Sequence, residues 1–137
     1  MCGCAIGRNV RIAEIVLGNL IVGFGNFELG NDVYVGPNCF FDLTDKVKVG
    51  ERTSISSGCI FLTHSDPGSI WGNKLAEIYP RKTGKIIIGA DSWVGAGAII
   101  SCGVSIGDRA IVGAGSVVIS DLPSDSVSFG NPAKVTR

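Results

Sequence analysis

From Ile88 to Pro123 the chain repeats itself every six residues, and that cadence restricts its fold more than any other feature. The blocks read IGADSW, VGAGAI, ISCGVS, IGDRAI, VGAGSV and VISDLP, opening at Ile88, Val94, Ile100, Ile106, Val112 and Val118. Every opener is β-branched, and four of the six are followed by Gly. The fifth place is small in four blocks, with Val104 and Leu122 the larger residues. Strand side chains alternate sides, so an opener points inward while its neighbours point out. A six-residue side then builds one face of a triangular coil, and stacking coils buries an apolar face that no coil buries alone. The expected fold is all-β: a parallel β-helix of six-residue repeats with one long inserted loop. Gly at the second place is expected to supply backbone freedom at the corners.

The cadence also runs upstream, less regularly. Ile6, Ile12, Leu17, Gly23, Leu29, Val35, Phe41, Val49, Ile55 and Phe61 open successive blocks. The block at Ile12 is one residue short and the block at Phe41 two residues long. Gly23 is a poor core residue whose place neighbouring Phe24 is expected to fill. Roughly seven coils at about 4.8 Å give a prism on the order of 30 Å tall. The chain of 137 residues reads as one domain, 1–137, with an inserted loop over about 67–85 and a tail over about 124–137.

Composition excludes several functions. Aromatics are only 7% and Gly numbers 20, as suits a narrow core with many turns. Twelve Lys and Arg balance twelve Asp and Glu, which speaks against a nucleic-acid partner. No apolar run approaches a membrane span, and MCGCAIGRNV lacks the apolar core of a signal peptide, so the expected location is cytoplasmic. Cys39 and Cys59 fall at fifth places and read as buried thiols, Cys102 at a turn. Cys2 and Cys4 form a CxC with no second ligand cluster nearby, so no metal is expected.

The rhythm stops at about Pro67 and resumes near Ile88. The segment from Pro67 to Lys85 carries Trp71, Lys74, Tyr79, Arg81, Lys82 and Lys85. Long excursions from a regular scaffold are usually functional or disordered, and this content speaks against disorder. Just before it, in FLTHSD, stands His64, the sole histidine. Imidazole can exchange a proton at neutral pH. One histidine cannot supply the three imidazoles of a catalytic zinc site within one chain.

With repeat, loop and lone His assembled, the chain resembles the hexapeptide-repeat acyltransferases, closest to the sugar and polysaccharide O-acetyltransferases. The resemblance is carried by IIIGADSWVGAGAIISCGVSIGDRAIVGAGSVV and SFGNPAKVTR, with LGNDVYVGPNCFFD and THSD upstream. It implies that the parallel β-helix is left-handed and forms a homotrimer, with acetyl-CoA in the groove between neighbouring prisms. It implies that His64 is the general base acting on a sugar hydroxyl, by direct transfer. Trp93 would pack along the CoA arm. Ala96 and Ala114 would offer backbone groups to the pantetheine amides, and Lys134 and Arg137 would lie near the phosphates. Where the family reads Thr-Lys after GAGSVV, this chain has Ile119-Ser120, so Ser120 holds a CoA-facing place without the phosphate partner. Where the galactoside enzymes place an acceptor-binding Asn before the catalytic His, this chain has Gly58, so other groups must bind the acceptor. Asp42, Trp71 and Tyr79 are the substrate-binding candidates; Trp71, Lys74, Tyr79 and Arg81 suit a sugar-stacking, anionic acceptor and equally a trimer contact. Asp42, Asp45 and Asp66 are the candidates to orient His64, Asp42 lying one coil below it. A non-catalytic scaffold, or a serine or amino-sugar acetyltransferase, is the alternative reading.

Overall fold

A computed structural model describes residues 3–20 and 23–137. Its strands are short and fall into coils. The first coil holds β1 (Ala5–Ile6), β2 (Arg11–Ile12) and β3 (Ile15–Gly18). The second holds β4 (Phe27–Leu29), β5 (Tyr34–Val35) and β6 (Cys39–Asp42), and the third β7 (Val47–Val49), β8 (Ser54–Ile55) and β9 (Ile60–Phe61). A hairpin then leaves the prism: β10 (His64–Ser65), a single helical turn α1 (Leu75–Ile78) and β11 (Lys82–Thr83). The fourth coil is β12 (Ile86–Ile88), β13 (Trp93–Val94) and β14 (Ile99–Ile100), and the fifth β15 (Ser105–Ile106), β16 (Ile111–Val112) and β17 (Val117–Val118). The antiparallel pair β18 (Val127–Gly130) and β19 (Ala133–Val135) closes the upper end.

Like strands stack in parallel into three sheets. Sheet A is β1-β4-β7-β12-β15, sheet B begins β2-β5-β8-β13-β16-β18, and sheet C is β3-β6-β9-β14-β17. The molecule is a parallel β-helix of about five turns rather than seven. Among the described residues the difference lies in 19–20, 23–26, 62–85 and the closing hairpin, which spend chain without adding coils.

The register explains the cadence. Leu17, Phe41, Phe61, Ile100 and Val118 are successive partners, one per coil. Openers Ile88, Val94, Ile100, Ile106, Val112 and Val118 are all buried, and so are the fifth places Ser92, Ala98, Val104, Ala110, Ser116 and Leu122. A fifth place and the next opener are two residues apart, hence on one side of the strand. Burying an aliphatic opener stabilises the fold by about 1.5–3 kcal/mol. Phe41 stacks on Phe61 at 4.6 Å and 1°, and Phe27 meets Phe41 edge-on at 4.9 Å, so an aromatic cluster ties the second coil to the third. Phe27, not Phe24, is the core residue of its block. The openers Ile6 and Ile12 stay 41% and 40% exposed, because no coil lies beneath them among the described residues. Cys39 and Cys59 are buried thiols whose sulfurs contact the carbonyls of Ser56 and Gly95. Cys2 lies outside the described residues.

Glycine at the second place has a different cause from the one expected. Left-handed φ values sit at the fourth place instead, on Asn9, Asp32, Arg52, Asp91 and Arg109 as well as on glycines such as Gly97. At the second place the constraint is contact between coils: a Cβ on Gly50 would meet the backbone N of Ala90 at 2.6 Å. The side chain is missing because the next coil occupies its space.

Stretches longer than six residues gather at one corner, between sheets C and A. From Leu17 to Leu29, from Phe41 to Val49 and from Phe61 to Ile88 the chain takes more than six residues there; from Ile100 to Ile106 it takes six. The repeat resumes at Ile86, which pairs with Val47, slightly before the expected Ile88.

Candidate functional site

Three excursions stacked on the corner between sheets C and A bring the site together. Gly18 pairs with Asp42 across β3 and β6, so Asn19 follows Asp42's partner directly. Phe41 pairs with Phe61, which carries residues 63 and 64 over Asp42 in the next coil. Asp42 is 1% exposed. Its Oδ1 accepts from Asn19 Nδ2 at 2.8 Å, Thr44 Oγ1 at 2.8 Å and the Thr44 amide at 3.1 Å. Its Oδ2 accepts from the Thr63 amide at 2.9 Å and lies 2.5 Å from His64 Nδ1. Burial pushes the carboxyl's pKa up, but the bonds from Asn19, His64 and Thr44 outweigh it and hold it well below the usual carboxylate range.

This network determines the imidazole tautomer. Thr44 Oγ1 donates its one proton to Asp42, so toward His64 Nδ1, 3.3 Å away, it can only accept. Both neighbours of Nδ1 are acceptors, which puts the proton on Nδ1 and leaves the basic lone pair on Nε2. An imidazole held this way can take a proton at Nε2 while the carboxylate stabilises the imidazolium. Of the three acidic candidates, Asp42 alone reaches the ring. Asp45 Oδ1 accepts from the Lys46 amide, and Asp66 faces Arg81 at 3.8 Å. Asp42 therefore lies beneath the histidine, not on a surface where an acceptor would sit.

His64 is also held from the other side. β10 pairs antiparallel with β11, His64 opposite Thr83 and Ser65 opposite Lys82. The Gly84 amide donates to Thr63 O at 2.8 Å, returning the chain to the prism. The imidazole is 30% exposed and lines a groove of about 380 Å³ with Leu62, Lys82, Ser101, Cys102 and Ile119. Beside it is a second groove of about 310 Å³ lined by Pro67, Ile78, Tyr79 and Arg81, with Ser65 and Lys82 shared between the two. Tyr79 thus stands next to the His64 groove. Trp71 does not: turns at Ser69 and Asn73 carry it off the prism, where it is 98% exposed.

The positions carried over for CoA divide into two groups. Ser120 and Lys134 line one groove of about 340 Å³, which Ile119 joins to the groove of His64. Arg137 does not line it; its backbone pairs with Val127. Trp93, 42% exposed, faces outward from sheet B, and exposed Ala96 and Ala114 sit one coil apart at the corner between sheets B and C. Sheet B lies across the prism from the corner of His64, so these residues cannot meet His64 within one protomer. Asn19, Thr44 and Thr63 went unread in the sequence. The one signal is position, and only for Thr44 and Thr63, which fall in stretches that break the six-residue length. Among the described residues, no group of His, Cys, Asp and Glu is placed to hold a metal ion, and no helix is long and apolar enough to cross a membrane.

Comparison with known proteins identifies this architecture. The family described as "Bacterial transferase hexapeptide (six repeats)" matches residues 85–120. The chain is 38% identical over 112 residues to a Staphylococcus aureus (strain Mu50) protein named a putative acetyltransferase, covering 82% of this chain and 55% of that protein. It is 32% identical over 117 residues to the galactoside O-acetyltransferase of Escherichia coli (strain K12), covering 81% and 56%. A solved galactoside acetyltransferase in complex with coenzyme A superposes with a TM-score of 0.82 at 25% identity, covering 98% of this chain and 64% of that one. The chain belongs to the hexapeptide-repeat acyltransferase family. It spans little more than half the length of the curated relatives it matches.

Proposed function

We propose that this protein is an acetyl-CoA-dependent O-acetyltransferase acting on a hydroxyl of a sugar or surface-polysaccharide precursor. The observation that carries the reading is the Asp42–His64 pair, held by five bonds to a buried carboxylate and opening onto a groove. His64 Nε2 takes the proton of the acceptor hydroxyl as its oxygen attacks the thioester carbonyl. The tetrahedral intermediate collapses with cleavage of the C–S bond. The imidazolium returns the proton to the departing thiolate, giving the acetyl ester and free CoA, with no acyl-enzyme. Backbone N–H groups along the coil edges are suited to hold the carbonyl oxygen as charge develops.

The same reading places CoA between two copies of the chain in a homotrimer. Trp93, Ala96 and Ala114 lie across the prism from His64, so a neighbour must present them to it. Ser120 and Lys134 form the outer end of the groove, and with Arg137 they serve the CoA phosphates. Tyr79 flanks the acceptor side. The named functions of the relatives support this assignment, as does the coenzyme A complex of the solved galactoside acetyltransferase. Its co-substrate puts the work in the cytoplasm. The test is His64→Ala, which retains acetyl-CoA binding by isothermal titration and trimer mass by light scattering while thiol release collapses. Undiminished thiol release from the variant, or no acetyl-CoA binding by wild type at millimolar ligand, overturns the reading.

A further inference from the structure

The groove of His64 contains one charged group with no assigned role. Lys82 is exposed on the return strand β11, directly opposite Ser65 in the register and one residue from the partner of His64. It lines both the His64 groove and the adjoining groove of Tyr79 and Arg81, so it stands where the two meet. Five other cations have carboxylate partners, Arg81 of the adjoining groove among them: Lys46 and Lys48 reach Glu28, Arg52 reaches Asp91, Arg109 reaches Asp125 and Arg81 reaches Asp66. Lys82 has none among the described residues. No carboxylate lines the His64 groove, and the nearby Asp42 is buried with both oxygens engaged. The Lys and Arg side chains lining the two grooves, Lys82 and Arg81, face no lining carboxylate, and the compact ammonium of Lys82 on its flexible stem can reach an anion in either groove.

We infer that Lys82 selects the acceptor, favouring a saccharide that carries a phosphate or carboxylate over its neutral counterpart. This rests on the acetyltransferase reading above and names the substrate class within it. The anionic group sits at Lys82, which sets the acceptor hydroxyl toward His64 and the sugar ring toward Tyr79. The placement also accounts for an acceptor site without the Asn of the galactoside enzymes at Gly58: the contact comes from the loop's return strand.

The test titrates wild type and Lys82→Gln with galactose 1-phosphate, methyl galacturonide and methyl galactoside, each with and without bound CoA. Wild type is expected to bind at least one anionic sugar ten times or more tighter than methyl galactoside. Lys82→Gln should bring that ratio near one, and Lys82→Arg should keep most of it. Comparing the phosphate with the carboxylate tells which anion is meant. Equal affinity for all three sugars, no binding of any, or a preference that survives in Lys82→Gln overturns the inference. So does a tenfold loss of CoA affinity in Lys82→Gln with the sugar preference intact, which would assign the lysine to CoA. Failure of the acetyltransferase reading shows separately, as absence of acetyl-CoA binding by wild type.

Discussion

Two corners of the prism stack polar side chains one coil above another, and they differ in what the stack faces. Between sheets A and B the column runs Asn9, Asp32, Arg52, Asp91, Arg109 and Asp125, the first five at the fourth place of their blocks and all six with left-handed φ. Asn9 donates to Asp32 at 2.8 Å; Arg52 grips Asp91 through two nitrogens, and Arg109 grips Asp125 likewise. These charges neutralise one another in solvent. Between sheets C and A the column runs Asn19, Asp42, Thr44 and His64, and its centre is buried. There the bonds converge on one carboxylate, which turns one imidazole outward. The regular corner spends its polar groups on itself; the irregular one directs them at an open groove.

If that contrast is right, substitutions at the two corners should separate activity from stability. The largest effect is expected for His64→Ala, where loss of a general base should lower turnover by about 10⁴, the upper end of such contributions, in a thiol-release assay. Asp42→Asn comes next. It keeps the shape but cannot hold the Nδ1–H tautomer as an ionised partner does, so turnover should fall by about 10². A fall confined to KM would instead make Asp42 a binding group. At the regular corner, Gly50→Ala forces a Cβ against the Ala90 amide of the next coil. It should cost about 1–3 kcal/mol in urea unfolding, as overpacking does, and the protein that remains folded should turn over normally.

Acid sharpens the contrast further. Asp42 is held well below its ordinary range, so it binds its proton less readily folded than unfolded. Its contribution is fully present above the unfolded pKa of about 3.9 and is lost as pH falls through the folded value. Wild type should lose thermal stability progressively below about pH 5, and Asp42→Asn should show a shallower slope. The smallest effect belongs to Arg109→Ala. Exposed pairs contribute little and are screened by salt, so its melting temperature should differ slightly from wild type at low salt and not at about 1 M. A large loss there would mean that the charged column holds the coils together.

The two corners were not equally legible in the sequence. Regular coils announce themselves because opener and fifth place must both point inward, and Phe41 below Phe61 followed from counting one turn. That count also placed Asp42 under His64. It could not choose Asp42 over Asp45 and Asp66, since the choice depends on where the Phe41 block turns. Asn19, Thr44 and Thr63 carry no periodic signal, and the pairing of Ser65 with Lys82 closes a loop whose interior obeys no repeat. Trp71 looked like a sugar platform by composition, but only the turns at Ser69 and Asn73 show where it points. The second-place glycines were legible in position and not in cause, because a spacing inside one coil says nothing about contact with the next.

The β10–β11 pairing has a consequence for how such a molecule can be rebuilt. Ser65 and Lys82 are partners, so the chain leaves the prism and re-enters it at nearly the same point. The coils on either side are joined to each other through β7 and β12, and through β9 and β14, without help from the loop. The segment between those two residues is therefore a removable cassette. A shorter or foreign loop closed on the same two ends should leave every rung in register, so the face presented to the acceptor can be exchanged while the scaffold stays unchanged.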